Sequence, residues 1–157
     1  MEKKGLKISP IKNGVVIDHI KAGQALNVCK ILEISPGTEK IVSIAMNVRS
    51  RKMGRKDILK IEGRKLEIAE IHKIVIISPN ATINIIENCK VEQKEKVRLP
   101  EMIVRIIKCQ NPTCISNDPK EPIKSKFLRE NQGGNSSFKC WYCGQIIEAE
   151  KLIESII

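Results

Sequence analysis

Four cysteines constrain this chain more than any other feature. Cys109-Gln-Asn-Pro-Thr-Cys114 is answered by Cys140-Trp-Tyr-Cys143, two short pairs with 25 residues between them. A short pair lets two thiolates from one chain segment reach the same ion. Four such thiolates suit tetrahedral Zn²⁺, with Zn–S bonds of about 2.3 Å. Pro112 and Gly144 supply the tight turns such a clip needs. Four cysteines close the coordination shell, so the expected zinc is structural, one per chain, with no open position for a substrate. Two disulfides would instead leave Cys29 and Cys89 over, and a redox Cys140/Cys143 pair would ignore Cys109 and Cys114.

If the metal only holds a fold together, the function lies elsewhere, and charge says where to look. Residues 1–100 carry 20 Lys and Arg against 11 Asp and Glu, whereas residues 101–157 carry 8 against 7. An anionic partner of the first part is expected, with a lysine-rich solvated surface as the bland alternative. The apolar fraction of 41% supports a folded core, and with aromatics at 3% that core is aliphatic. The longest apolar run, Ile74-Val-Ile-Ile77, is far short of the roughly 20 residues that span a bilayer. Met1-Glu-Lys-Lys4 leads into no apolar segment that would serve as a secretion signal, so the cytoplasm is the expected location.

Along the first part, residues 6–20 read as extended, with Asn13-Gly14 as a hairpin signal between two β-branched runs. Residues 22–33 place Ala25, Leu26, Val28, Cys29 and Leu32 at helical spacing, with Cys29 a small core residue. Ser35-Pro-Gly-Thr38 breaks the chain. Lys40–Val48 and Arg55–Ile61 read as an antiparallel strand pair joined by the polar loop Arg49–Gly54. Period-2 geometry puts Lys56 and Lys60 on one face, about 13 Å apart, where two cations can address different parts of an extended anion. Glu67–Ile77 reads as a second helix stopped by Ser78-Pro79, Ala81–Glu87 as a strand with Asn84 and Ile86 on one face, and Val91 and Lys94 as part of an edge segment. The pattern predicts an α+β domain: an antiparallel sheet with two helices on one face.

Leu99-Pro-Glu101 marks a rigid joint, giving domains at 1–100 and 101–157. Beyond it, strands at Met102–Lys108, Ile123–Arg129 and Phe138–Cys140 deliver the two cysteine pairs, with Gln132–Asn135 a loop. So small an all-β, zinc-ribbon-like domain has too little core to stand alone. Structural zinc offsets this, with apparent binding energies of about 10–16 kcal/mol. The tail with Ile146, Ile147, Leu152, Ile153, Ile156 and Ile157 is more apolar than that small core needs, and is a candidate subunit interface.

Val16-Ile-Asp-His-Ile20, Met53-Gly-Arg-Lys-Asp57 with Lys60-Ile-Glu62, Ala81-Thr-Ile-Asn84, Leu99-Pro-Glu101 and Cys114-Ile-Ser116 recur in this order in one family. From about residue 6 to its end, the chain resembles the regulatory chains of aspartate carbamoyltransferase, an enzyme of pyrimidine biosynthesis. The resemblance implies a chain without catalysis of its own. Its first, ferredoxin-like domain would bind the allosteric effectors CTP, UTP and ATP and form a homodimer, and its zinc domain would contact the catalytic chain. Three such dimers would bridge two catalytic trimers in a dodecamer. By motif, Lys60 matches a contact to base and ribose, Asp18 a ribose contact, Lys94 a triphosphate contact supported by His19, and Ile11 a position whose backbone reads the base. Lys56, Asn84, Ile86 and Val91 match other pocket positions, and Cys109, Cys114, Cys140 and Cys143 the zinc site. Cys89 stands where the family can carry an aromatic, and Ser9-Pro10 where it can carry an acidic residue and an alanine; Pro10 offers no backbone N–H.

Two other classes compete. A nucleic-acid-binding zinc-ribbon protein would use the basic first domain and Trp141-Tyr142, but the near-neutral zinc part then carries the aromatics away from the charge. The resemblance implies no nucleic-acid partner and no membrane. An enzyme has little to build on. His19 and His72 are the only histidines, and no P-loop, glycine-rich phosphate motif or Ser-His-Asp order is present.

Overall fold

The computed structural model describes residues 10–132 and 135–156. The chain separates into two compact units, 1–97 and 98–157. In the first, the strands are β1 (Gly14–Lys21), β2 (Val42–Ser50), β3 (Gly54–Glu62), β4 (Thr82–Glu87) and β5 (Lys90–Glu95), with helices α1 (Ala25–Ile31) and α2 (Ile68–Ile77). All neighbours are antiparallel and the sheet order is β2-β3-β1-β4-β5. The first six elements run β-α-β-β-α-β with β3 and β1 central, which is the ferredoxin-like arrangement, extended by β5 at the edge.

Alternation explains the layering. Val15, Ile17, Leu59, Ile61 and Ile83 are 2% exposed or less and form the core with Val28, Leu32, Ile74 and Ile76. α1 buries Ala25, Val28 and Cys29, but Leu26 is 56% exposed and does not belong to the packed face assigned to it by spacing. α2 starts on a capping box between Glu67 and Glu70 and ends before Ser78-Pro79, where a proline disfavours helical backbone at the preceding residue.

The expected Asn13-Gly14 hairpin does not form. Residues 6–9 lie outside the described set, and Pro10–Asn13 belong to no strand. Instead Gly14 opens β1 on two partners at once, opposite Glu62 and Ile86. Its φ of +143° and the Ile61 carbonyl oxygen, 2.1 Å from where a Cβ would sit, leave room for glycine alone. Asn13 is tied down by its neighbours, accepting from the N–H of Gly63 at 3.0 Å and from Asn88 at 3.0 Å.

The second unit is a four-stranded antiparallel sheet, β6 (Met102–Val104), β7 (Lys126–Gln132), β8 (Asn135–Cys140) and β9 (Ile146–Glu148), in chain order, followed by a 3-10 helix at Ala149–Ser155. β6 is shorter than the stretch Met102–Lys108 suggested. Arg105 takes a φ of +63° and breaks the pleat, after which Ile107 makes only a single bridge to Ile156. β7 likewise starts three residues later than Ile123. Phe127, Phe138, Ile103, Ile107, Ile147 and Leu152 are all 2% exposed or less and form this unit's core. Of the apolar tail, Ile147 and Leu152 are buried, Ile153 and Ile156 are half-buried and Ile146 is 51% exposed; Ile157 lies outside the described residues. Among the described residues, no helix is long and apolar enough to cross a membrane.

Candidate functional site

The two cysteine pairs converge. The four Sγ atoms of Cys109, Cys114, Cys140 and Cys143 lie within 4.8 Å of one another. Cys109–Cys143 and Cys114–Cys140 are 3.6 and 3.7 Å apart, too long for a disulfide at about 2.05 Å. A tetrahedron of Zn–S bonds near 2.3 Å has edges of about 3.8 Å, so four soft donors at this spacing fit a structural zinc ion. Local bonds hold each pair open. The Asn117 amide donates to the carbonyls of Cys109 and Asn111, both at 2.8 Å, and the Cys114 N–H donates to the Asn111 carbonyl. In the second pair Gly144, at φ +77°, donates to the Cys140 carbonyl, and Trp141 donates to that of Lys126.

Three of the thiols are buried, and burial with thiol crowding pushes Cys109 and Cys140 upward. At Cys143 desolvation also pushes upward, but the Gln145 backbone, the Asn111 side chain and the neighbouring thiols outweigh it and bring it to about 7. A bound cation removes this mutual penalty by holding all four as thiolates. Trp141 is 60% exposed, while the Tyr142 hydroxyl donates to the Lys124 carbonyl at 2.9 Å.

In the first unit a second constellation lies on the sheet face opposite the core. Residues paired across antiparallel strands share a face. Ser43 pairs with Lys60, Lys60 with Val16, Val16 with Asn84, and Asn84 with Lys94. Lys60, Asn84 and Lys94 therefore stand in one row across the sheet. The two lysines are three strand spacings apart, about 14 Å. One step along β1, Gly14 lies opposite Ile86, which pairs with Val91. One step the other way, Asp18 lies opposite Thr82. The face thus grades from an apolar end at Ile86 and Val91 to a charged end at Asp18. Ile11, buried at 6% exposure, precedes the segment that the Asn88-Cys89 turn clasps, with the Cys89 N–H on the Lys12 carbonyl at 2.9 Å.

Strand irregularities set this face. Between Ile17 and Ile20, β1 carries one residue more than β3, and His19 takes a φ of +55°. In a regular strand His19 would point away from Asp18, into the core. The bulge instead turns its ring onto Thr82 Oγ1 at 3.1 Å, beside Asp18. A bulge in β5 between Val91 and Gln93 does the same for Val91 and Lys94, three apart in sequence yet on one face. Lys56 Nζ meets Asp18 Oδ1 at 2.8 Å, and the His19 N–H donates to the same oxygen at 2.6 Å. Burial would raise the Asp18 carboxyl, but these bonds and the positive field prevail and hold it below its ordinary value. At His19 burial lowers the pKa. Asp18 opposes this, while Lys56, Lys52 and Lys94 add to the lowering.

Thr82 and Lys52, which bear on His19, were given no role by residue type. Thr82 was legible, since period 2 puts it on the face of Asn84. Lys52, in the β2–β3 turn, had no local signal.

An α+β unit with a cation-lined sheet face and a small four-thiol unit, joined in one chain, define a two-unit metal-binding protein. Residues 6–98 match the family model for the allosteric domain of the aspartate carbamoyltransferase regulatory chain, and residues 101–153 match that for its metal-binding domain. Among curated relatives, the aspartate carbamoyltransferase regulatory chain of Archaeoglobus fulgidus is 52% identical over 143 residues, covering 91% of this chain and 94% of its own. That of Methanothrix thermoacetophila is 49% identical over 157 residues, covering all of both, and that of Korarchaeum cryptofilum is 44% identical over 98% of each. The chain belongs to the family of aspartate carbamoyltransferase regulatory chains. It is a regulatory, non-catalytic subunit, which associates with the catalytic chain and has an allosteric and a metal-binding domain.

Proposed function

We propose that this chain senses nucleoside triphosphates through its first domain, residues 1–100, and passes the signal to the catalytic chain through its zinc domain, residues 101–157. The observation that carries this reading is the graded face: an apolar end, a central Lys60–Asn84–Lys94 row and a charged end at Asp18, His19 and Lys56. A nucleotide has the same grading. Its base would lie near Ile86 and Val91 and meet the backbone at Ile11. Lys60 would reach base and ribose, Asp18 would accept from ribose hydroxyls, and Lys94, His19 and Lys56 would face the phosphates. The effectors of this reading are CTP, UTP and ATP. Cys109, Cys114, Cys140 and Cys143 would hold one zinc, which closes the two knuckles and leaves no position for substrate.

Allostery then means that a nucleotide binds one quaternary state better and shifts the population toward it. Regulatory chains would pair as dimers through the first domain, and three dimers would bridge two catalytic trimers in a cytoplasmic dodecamer of pyrimidine biosynthesis. The test is a pull-down from native extract with zinc retained. Recovery of the catalytic chain, and its release on chelation, is the expected result. A chain that leaves the catalytic subunit behind while keeping its zinc would overturn the docking role.

A further inference from the structure

Asp57 is the most anomalous residue of the first unit. It is fully buried, yet it occupies the apolar face of β3 in alternation with Leu59 and Ile61. Among the described residues its carboxylate is met by backbone N–H groups. Oδ2 accepts from the N–H of Gly23 at 2.9 Å and of Ala25 at 3.0 Å, and Oδ1 from that of Asn47 at 2.7 Å. These donors come from two separate segments. Gly23 lies in the turn that follows β1, Ala25 opens α1, and Asn47 lies in a further bulge, where β2 carries one extra residue between Ala45 and Val48. Asn47 sits at φ +58°, a conformation that leaves its N–H off the ladder and available to the side chain of Asp57.

Two bulges therefore flank the same short stretch of β3, one from each neighbouring strand. The β1 bulge puts Asp18 and His19 on one face. The β2 bulge precedes the turn that bears Lys52. Between them stands Lys56, whose Nζ holds Asp18. Asp57 pairs with Ile20, the first residue after the β1 bulge, and binds the turn just beyond it. One carboxylate thus fixes the ends of both irregular segments relative to β3. Left-handed backbone at His19 and Asn47 is unfavourable for a residue with a side chain and persists only where the surroundings over-determine it.

We infer that Asp57 is a positioning residue for the effector site: its bonds to Gly23, Ala25 and Asn47 fix the chain just beyond the β1 bulge, which places Asp18 and His19 against Lys56, and within the β2 bulge, without Asp57 meeting the ligand. This rests on the reading of that face as a nucleotide site. The experiment uses the full zinc-loaded chain, with CTP and ATP as calorimetric probes. Asp57→Asn replaces one acceptor oxygen by an NH₂ that opposes the backbone donors. CTP affinity should fall about tenfold or more, the scale of one lost charge-assisted contact. The His19 ring, followed by NMR, should titrate closer to an ordinary imidazole as it leaves Thr82 and the lysines.

Arg64→Ala is the structural control. Arg64 ties the Leu32 carbonyl to Glu70 at the helix ends, and its loss should leave both readouts as they were. In the unaltered chain, CTP should also slow hydrogen exchange at the Gly23, Ala25 and Asn47 amides, because coupling between site and latch is reciprocal. That measurement stands even where Asp57→Asn fails to fold, and unchanged exchange at all three amides would overturn the inference. Retained affinity and an unmoved His19 in a folded Asp57→Asn, with Lys60→Ala losing affinity, would reduce Asp57 to scaffold. Unchanged affinity in Lys60→Ala as well would remove the nucleotide site itself.

Discussion

The two lysines of the cross-strand row should not be worth the same. Lys60 stands half-buried on β3 between its partners Ser43 and Val16, so a charge-assisted contact there is worth about 1.5–3 kcal/mol. Lys94 lies on β5, every residue of which is exposed, and an exposed ionic contact is worth about 0.2–1 kcal/mol. At 1.4 kcal/mol per tenfold, Lys60→Ala should weaken CTP or ATP binding about 10- to 150-fold and Lys94→Ala only about 1.5- to 5-fold. Titration calorimetry on the folded variants measures both. Raising the salt should shrink the Lys94 effect more, because exposed charges are screened first. Equal losses, a larger loss at Lys94, or undiminished binding in Lys60→Ala would refute the assignment of roles along the row.

Four further outcomes follow from the same geometry. Chelation of the metal, or Cys114→Ser, should disorder the second unit and cost association with the catalytic chain, while CTP binding to the first unit persists; gel filtration and calorimetry read the two separately. His19 has a depressed pKa when folded, so the unfolded chain takes up its proton first as pH falls. Its contribution to stability is therefore full above the ordinary imidazole range and is lost as pH falls through the folded pKa. A bound triphosphate should raise that pKa, so binding should take up protons and tighten toward acid pH, an effect that His19→Gln removes in calorimetry across buffers of different ionisation enthalpy. Gly14→Ala should destabilise the chain by about 1–3 kcal/mol in denaturant unfolding, from strained φ and the clash with the Ile61 carbonyl.

The sequence displayed periodicity, and periodicity is what it predicted well. Leu59 and Ile61 fall inward and Lys56 and Lys60 outward because strands alternate. The cysteine pairs were legible because a four-thiol site needs two knuckles and little else. What escaped reading were the breaks in period. Nothing in the order Asp18-His19-Ile20 says that the histidine shares the aspartate's face; that follows from a bulge against β3, whose Asp57 stands opposite Ile20 and 39 positions further on than Asp18. The false hairpin at Asn13-Gly14 has a similar cause. The local turn signal was real, but Gly14 is needed for close approach to the Ile61 carbonyl, a contact made across the sheet. Asp57 falls inward by the same alternation, but nothing around it in sequence says that backbone N–H groups from two distant segments meet it there.

Nucleotide on the first domain should alter the catalytic chain. The direct measurement is carbamoyltransferase activity against aspartate concentration in the zinc-replete complex with its catalytic chain, with and without CTP or ATP. The nucleotide should shift half-saturation, and Lys60→Ala should abolish the shift while the complex stays intact on gel filtration. An intact complex whose aspartate curve ignores both nucleotides would contradict it.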